Sequence, residues 1–335
     1  QRQMCIRDRV MMVPGAVTGS GATTVLTVGG LVGAVLAAMG VNEDRRVALI
    51  FLLAAMSAAC PPINLWAMMA AAGANMPFVG FTWPLLILSG VGALVSTFYL
   101  TRGVRNDKPV EEVLGTLPEA PDGWNAIRAF VPFVVMIVLI MGARIFPAWW
   151  PVFGLPMIFM ISAGAVLICS PKKVKVMEIA VTTVQNLKEL VGIMVVVGIL
   201  NQTLTLTGAR GLISLAVVIL PIWLLFAALW LILPVAEGVL QYAVAPLFGV
   251  PLIMLFNMLG YNPVVALSCW SVMWPVGDCL PPTAVVGRAA VMEMNYKGNY
   301  YKGLVKNALV PMLVILALCT ITMIFNKPVG DLLGV

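Results

Sequence analysis

Two stretches decide how this chain is read. One is Cys60-Pro61-Pro62-Ile63-Asn64, inside the apolar run Val47–Ala72. The other is Gly277-Asp278-Cys279-Leu280-Pro281-Pro282-Thr283, inside Val264–Met292. A run of about 20 apolar residues suffices to cross a bilayer, and both runs are longer. Each is interrupted in its interior by a proline pair beside polar residues. In lipid every backbone N–H and C=O must find a partner, so a helix broken at mid-depth strands several of them. Such a break is tolerated only where it is buried in protein or lines a polar cavity. Lone prolines such as Pro132 and Pro221 read as ordinary helix kinks. A pair with polar neighbours, occurring twice, does not.

The surrounding composition agrees. Of 335 residues, 61% are hydrophobic and 10% charged, and mean hydropathy is +1.02. Soluble domains carry roughly 45–50% apolar and about 25% charged residues. The chain therefore reads as an all-α polytopic membrane protein. Its apolar stretches are continuous, unlike the alternating strands of a membrane β-barrel. The net charge of +6 forms no basic stripe interleaved with aromatics, which argues against nucleic-acid binding. The absence of His excludes Ser-His-Asp catalysis, His proton relays and most zinc sites. Cys5, Cys60, Cys169, Cys269, Cys279 and Cys319 form no CxxC pair and read as small apolar side chains. No nucleophile–base pair, metal cluster or pore motif stands out, so an enzyme or a channel is not the expected reading.

Phe81–Leu100, Ile127–Phe146, Val152–Cys169, Leu190–Leu206 and Leu304–Phe325 fit as simple spans. Met11–Met39 and Gly211–Phe256 are interrupted, at Gly15–Gly21 and near Pro234–Gly238, and are expected to be re-entrant hairpins. Residues 1–9, QRQMCIRDR, carry four charges and do not match the apolar chain that begins at Val10. They are expected to be a non-native leader ahead of an N-terminally truncated frame, with a natural cytoplasmic tail as the alternative. The expected parts are residues 10–100 (first hairpin, broken helix and following span), a cytoplasmic loop over 101–126, scaffold spans over 127–206, and residues 207–335 (second hairpin, broken helix and last span). Within the scaffold, residues 174–190 place Val174, Met177, Val181, Val184 and Leu187 on one face. That pattern predicts an interfacial amphipathic helix; an extension of the next span is the alternative.

Lys and Arg set the orientation. With Arg45 and Arg46 inside, the loops alternate so that Arg102, Arg105, Lys108, Lys172, Lys173, Lys175, Lys188, Lys297, Lys302 and Lys306 also fall inside. Arg144, Arg210 and Lys327 fall outside, with Trp149 and Trp150 at the outer interface. By this count the first hairpin enters from inside and the second from outside.

The interruptions form two sets. Val17-Thr18-Gly19-Ser20-Gly21-Ala22-Thr23-Thr24 precedes the first proline pair, and Pro234-Val235-Ala236-Glu237-Gly238 precedes the second. Ser20 lies 41 positions before Pro61, and Gly238 lies 43 before Pro281. Near-equal spacing with opposite entry is the pattern of inverted repeats around a midplane site built from discontinuous helices. Glu237 and Asp278 are the two acids expected at membrane depth. A carboxylate there costs about 2.5–3.5 kcal/mol on insertion scales and is usually retained for an ion, a proton or a paired charge; capping a half-helix is the structural alternative. Oxygen-rich breaks suit Na⁺, with Ser20, Asn64, Glu237, Gly238, Gly277 and Asp278 as candidate ligands. No Lys or Arg is expected at that depth; Arg288 reads as an inside-interface charge, with a substrate ligand as the alternative. An anion would then be held by half-helix N-termini, with Thr18, Gly19, Ser20, Gly21, Thr23, Pro61, Pro62, Asn64, Pro281, Pro282 and Thr283 as the candidate substrate site.

Three stretches, VTGSGATTVLTVGG, SAACPPINLWAM and LGYNPVVAL…VGDCLPPTAV, resemble the large membrane subunit of tripartite ATP-independent periplasmic transporters. The likeness runs from about Val10 to Pro328. Two details depart from that family: Thr283 follows the proline pair instead of preceding it, and the second hairpin reads LPVAEG. The resemblance implies an elevator-type secondary transporter in the bacterial inner membrane that takes up a carboxylate with Na⁺. It also implies a small membrane subunit and a periplasmic substrate-binding protein as partners. A stand-alone ion-coupled dicarboxylate or citrate carrier is the alternative.

Overall fold

A computed structural model describes residues 2–104, 123, 125–146, 149–151, 153, 155–171 and 173–335. Among them there are helices and turns and no strand. Among the described residues, four helical segments are long and apolar enough to cross a membrane: Gly21–Ala38, Thr82–Leu100, Ile222–Ala243 and Tyr301–Ile324. The chain forms two compact units, one of Gln1–Leu114 with Gly192–Val335, the other of Gly115–Val191.

The larger unit opens with helix α1 (Arg2–Thr18), a turn at Gly19, then α2 (Gly21–Thr24), a π-helical turn (Val25–Gly29) and α3 (Gly30–Ala38). Gly19 has φ +69°, a conformation that costs glycine nothing. Helix α4 (Glu43–Ala59) comes next. Asn42 caps it by accepting the Asp44 N–H, and Glu43 and Asp44 complement the positive end of its dipole. Every residue from Val47 to Ala59 is buried. A helix that is apolar all round belongs at the centre of its unit, and α1, α2, α3 and α6 (Thr82–Leu100) pack around this one. Between α4 and α5 (Leu65–Gly73) lies the expected proline break.

The smaller unit contains α7 (Ala126–Ile145) and α8 (Leu155–Cys169), packed on each other. Helix α9 (Val176–Leu206) comes after them. It joins two elements expected to be separate: the amphipathic stretch over 174–190 and the span Leu190–Leu206 are one continuous helix. No residue between them breaks the backbone ladder, so propagation costs less than a new nucleus.

Then come α10 (Ala209–Val218), α11 (Ile222–Leu240), a 3₁₀ turn (Gln241–Ala243), a π turn (Ala245–Gly249), α12 (Val250–Met258) and α13 (Pro263–Met273). Beyond the second break lie α14 (Val285–Glu293), a π turn (Tyr301–Val305), α15 (Lys306–Ile324) and α16 (Asn326–Leu333).

The two broken stretches share one plan, with second members 220 positions after the first (Val25 and Ala245, Asn42 and Asn262, Pro61 and Pro281, Leu65 and Val285). In both, a π turn leads into a nine-residue helix, and an Asn caps the helix that runs to the break. Both proline pairs contain a cis peptide bond, and both exit helices end at an Asn with positive φ, Asn75 and Asn295. The hairpin turns differ: the first has Gly19 and Ser20 ahead of α2, where the second passes at Gln241 straight into a 3₁₀ turn.

Two further expectations need correcting. The second hairpin does not turn near Pro234–Gly238. Helix α11 continues through Pro234 and turns at Gln241, which takes the positive φ of 52°. Pro234 removes one helix hydrogen bond, and Gly277 packs against the Pro234 carbonyl, where a methyl group would collide. Pro221 is not a mid-helix kink; it caps the start of α11, its fixed φ suiting a helix entrance. The backbone of Arg2–Arg9, set apart by its charge, is helical and continuous with α1. The loop over 101–126 falls mostly outside the described residues, as do Arg105, Lys108 and Lys172.

At one end of α4, the Tyr296 hydroxyl donates to Asp44. Burial first, and the Asp44 and Glu43 carboxylates after it, push this phenol up to about 12.

Candidate functional site

Each half-helix after a break is tied to the hairpin of its own stretch. Ile63 N–H donates to the Ala16 carbonyl at 3.0 Å. Thr283 N–H donates to the Gly238 carbonyl at 3.0 Å, and the Thr283 hydroxyl donates to the same oxygen at 2.8 Å. In this way backbone groups at the breaks find partners inside the protein.

The half-helices also pack crosswise. Helix α5, from the first break, lies on the second hairpin: the Trp66 indole N–H donates to Glu237 Oε2 at 2.9 Å, and its ring lies 4.8 Å from that of Tyr242. Helix α14, from the second break, lies on the first hairpin, where a methyl on Gly21 would meet Val286 Cγ2 at 3.0 Å. The Tyr242 hydroxyl donates to the Gly19 carbonyl at 3.5 Å and lies within hydrogen-bonding reach of the Ser20 side chain. Residues 171 and 223 positions apart thus meet at one place because each hairpin receives the other's helix.

Most expected substrate ligands are present but occupied. The Thr18 hydroxyl donates to the Pro14 carbonyl at 2.8 Å and accepts the Ser20 N–H. Ser20 caps α2 by accepting the Thr23 N–H at 3.3 Å. Asn64 is fully buried; its Oδ1 accepts the Ala67 N–H and its Nδ2 donates to the Ala59 carbonyl, both at 2.9 Å. The Thr283 side chain is buried and given to Gly238. Thr18, Ser20, Thr23, Pro61 and Pro62 remain half-buried, and Pro281 and Pro282 are exposed.

The half-helix N-termini are not open to an anion in the way expected. Asn64 occupies that of α5. Asp278 Oδ1 accepts the Val285 N–H at 3.1 Å, and its carbonyl accepts the Gly287 N–H at 3.1 Å. Asp278, 1% exposed, therefore caps α14 from within and also accepts from Gln241 Nε2 at 3.4 Å. A carboxylate beside the freed N–H groups of a helix start is the favourable placement for its charge.

Of the six candidate Na⁺ ligands, Glu237 stands apart. It is fully buried, and its Oε1 has no hydrogen-bond partner among the described residues. A buried acceptor left unpaired costs about 1–3 kcal/mol, more when charged. The Gly238 carbonyl, by contrast, already receives two donors from Thr283. Asn64 Oδ1 and Ser20 Oγ serve as caps, and the Gly277 carbonyl accepts the Leu280 N–H at 2.8 Å. Among the described residues no three His, Cys, Asp or Glu side chains are grouped as they would be around a metal ion.

Three residues at the site escape a linear reading: Trp66, Gln241 and Tyr242. All three stand within five positions of a break residue, the one signal that marks them. Arg288 is exposed. Its Nη2 donates to the Pro282 carbonyl at 3.1 Å, which brings the guanidinium back to the break. Cys60, Cys269, Cys279 and Cys319 are buried free thiols, as expected, whereas Cys169 is free but only half-buried. The sequence matches no known protein-family model, and no curated protein is significantly similar to it.

Proposed function

We propose that this chain is a permease subunit of an ion-coupled secondary transporter that takes up a small carboxylate solute across the bacterial inner membrane with Na⁺ as the coupling ion. The observation that carries this reading is the pair of broken stretches, built on one plan and packed crosswise at a common place. Broken helices meeting at mid-depth are how membrane transporters build a solute site, and few other needs justify the backbone cost. The two stretches are taken as inverted repeats with re-entrant hairpins, which move together as the carrying element of an elevator.

In this reading Glu237 contributes to the ion site through Oε1, and Na⁺ offsets a carboxylate that has no Lys or Arg partner among the described residues. The half-buried surface of Ser20, Thr23, Pro61 and Pro62 and the exposed Pro281 and Pro282 line the solute path. A small membrane subunit and a periplasmic substrate-binding protein are the partners that the sequence resemblance implies.

Uptake into proteoliposomes tests the proposal, using radiolabelled succinate, lactate and citrate with and without a Na⁺ gradient and with candidate binding proteins. Uptake that requires inward Na⁺ supports it. Full uptake on a proton gradient in Na⁺-free medium would overturn the coupling ion. Uptake that needs no binding protein would favour the stand-alone carrier.

A further inference from the structure

We propose that Arg288 is the residue that recognises the solute's carboxylate. The inference rests on the proposed uptake of a carboxylate and adds to it the residue that confers anion preference.

A guanidinium at the break has to be explained by what it does there. Arg288 is exposed, and its Nη2 is held on the Pro282 carbonyl at 3.1 Å. Side chains on a helix lean toward its N-terminus, so a residue one turn into α14 delivers its charge back to the proline pair. Broken backbone at membrane depth has to face protein or a polar cavity, and a charged side chain at that depth is retained for a partner or a pathway. Arg288 makes no ion pair among the described residues. The nearest acids on its own stretch are committed elsewhere: Asp278 is buried as the cap of α14, and Glu293 lies against Gly30.

Other groups expected to hold an anion are already engaged within the protein. Asn64 occupies the N-terminus of α5, Asp278 occupies that of α14, and the Thr283 hydroxyl donates to Gly238. A guanidinium has five N–H donors in a rigid fork, and one bond to Pro282 fixes its position while leaving donors free. The remaining fork matches a carboxylate in the bidentate geometry that Lys cannot reproduce. The exposed Pro281 and Pro282 beside it leave that face open.

The test uses purified full-length chain in nanodiscs. Binding of acetate, lactate, succinate and citrate is read by thermal stabilisation at fixed Na⁺ and ionic strength. At least one of these anions is expected to stabilise the wild type. Arg288→Gln should weaken its apparent affinity at least tenfold, about 1.4 kcal/mol, and Arg288→Lys by less. Lys297→Gln, which removes the same charge from the following exposed turn, should bind as wild type. Equal binding by Arg288→Gln and wild type would overturn the assignment and leave the carboxylate reading standing. A wild type that none of the four anions stabilises would overturn both. Should Arg288→Gln not fold, wild-type protein treated with phenylglyoxal gives the same test by peptide mass spectrometry. Shielding of Arg288 by the bound anion supports the proposal, and modification at an unchanged rate overturns it.

Discussion

Trp66 and Glu237 show how far apart in the chain a single polar contact can reach. The indole N–H is the one donor seen on the Glu237 carboxylate, and Oε1 has none among the described residues. Trp66→Phe keeps most of the ring's packing and removes that donor. It should cost about 1–3 kcal/mol through the second unpaired oxygen, read as a lower melting temperature in Na⁺-free buffer. An unchanged melting temperature would mean that Oε2 finds another donor. Asp278 separates two roles in the same way. Asp278→Asn retains an acceptor for the Val285 N–H and should stay within a few tenths to about 1 kcal/mol of wild type, whereas Asp278→Ala loses the cap and about 0.5–2 kcal/mol. If Asp278→Asn also lowers the apparent Na⁺ affinity tenfold or more in transport, the carboxylate serves the ion as well as the helix. Capping and the proline pairs were legible in the residues themselves; the indole partner was not, because 171 positions separate it from the carboxylate.

Among the elements, the breaks hold together by close backbone approach. The 3₁₀ turn Pro275–Gly277 lies directly on α11, and a Cβ on Gly277 would strike the Pro234 carbonyl. Gly277→Ala cannot be absorbed by a flexible side chain, since the obstacle is backbone. It should destabilise by more than the ordinary 1–3 kcal/mol or so of an overpacked core. Gly90→Ala, in α6 with open space around it, should instead be neutral or stabilising by roughly 0.5–1 kcal/mol. Melting curves of both variants check the contrast, and similar curves would show that the contact between turn and helix relaxes. Helix lengths and most boundaries came from the apolar runs: Thr82–Leu100 and Leu155–Cys169 fall close to the expected spans. The second hairpin's turn did not, because a proline inside an apolar run does not by itself end a helix, and α11 continues through Pro234 to Leu240.

For the whole molecule, the Lys and Arg pattern of the sequence predicts sidedness. Lys297 and Lys302 lie on the turn after α14, and Trp149 is 91% exposed in the smaller unit. A single Cys introduced at position 297 should be labelled by an impermeant maleimide only from the cytoplasmic side, and one at position 149 only from the periplasmic side. Labelling of position 297 from the periplasm alone would reverse the orientation and with it the entry side of both hairpins.

Composition and the two proline pairs were enough to establish an all-helical, membrane-type chain with two broken segments, since lipid penalises each unpaired backbone group and each charge in a way that leaves marks along the sequence. Which side chains meet at those breaks was decided by the tertiary structure alone. The exchange of half-helices between hairpins puts Trp66 on Glu237 and Tyr242 on Gly19, and the backward lean of a helical side chain returns Arg288 to Pro282. Spacing along the chain carries no information about such contacts, because their partners are set by how separate helices pack.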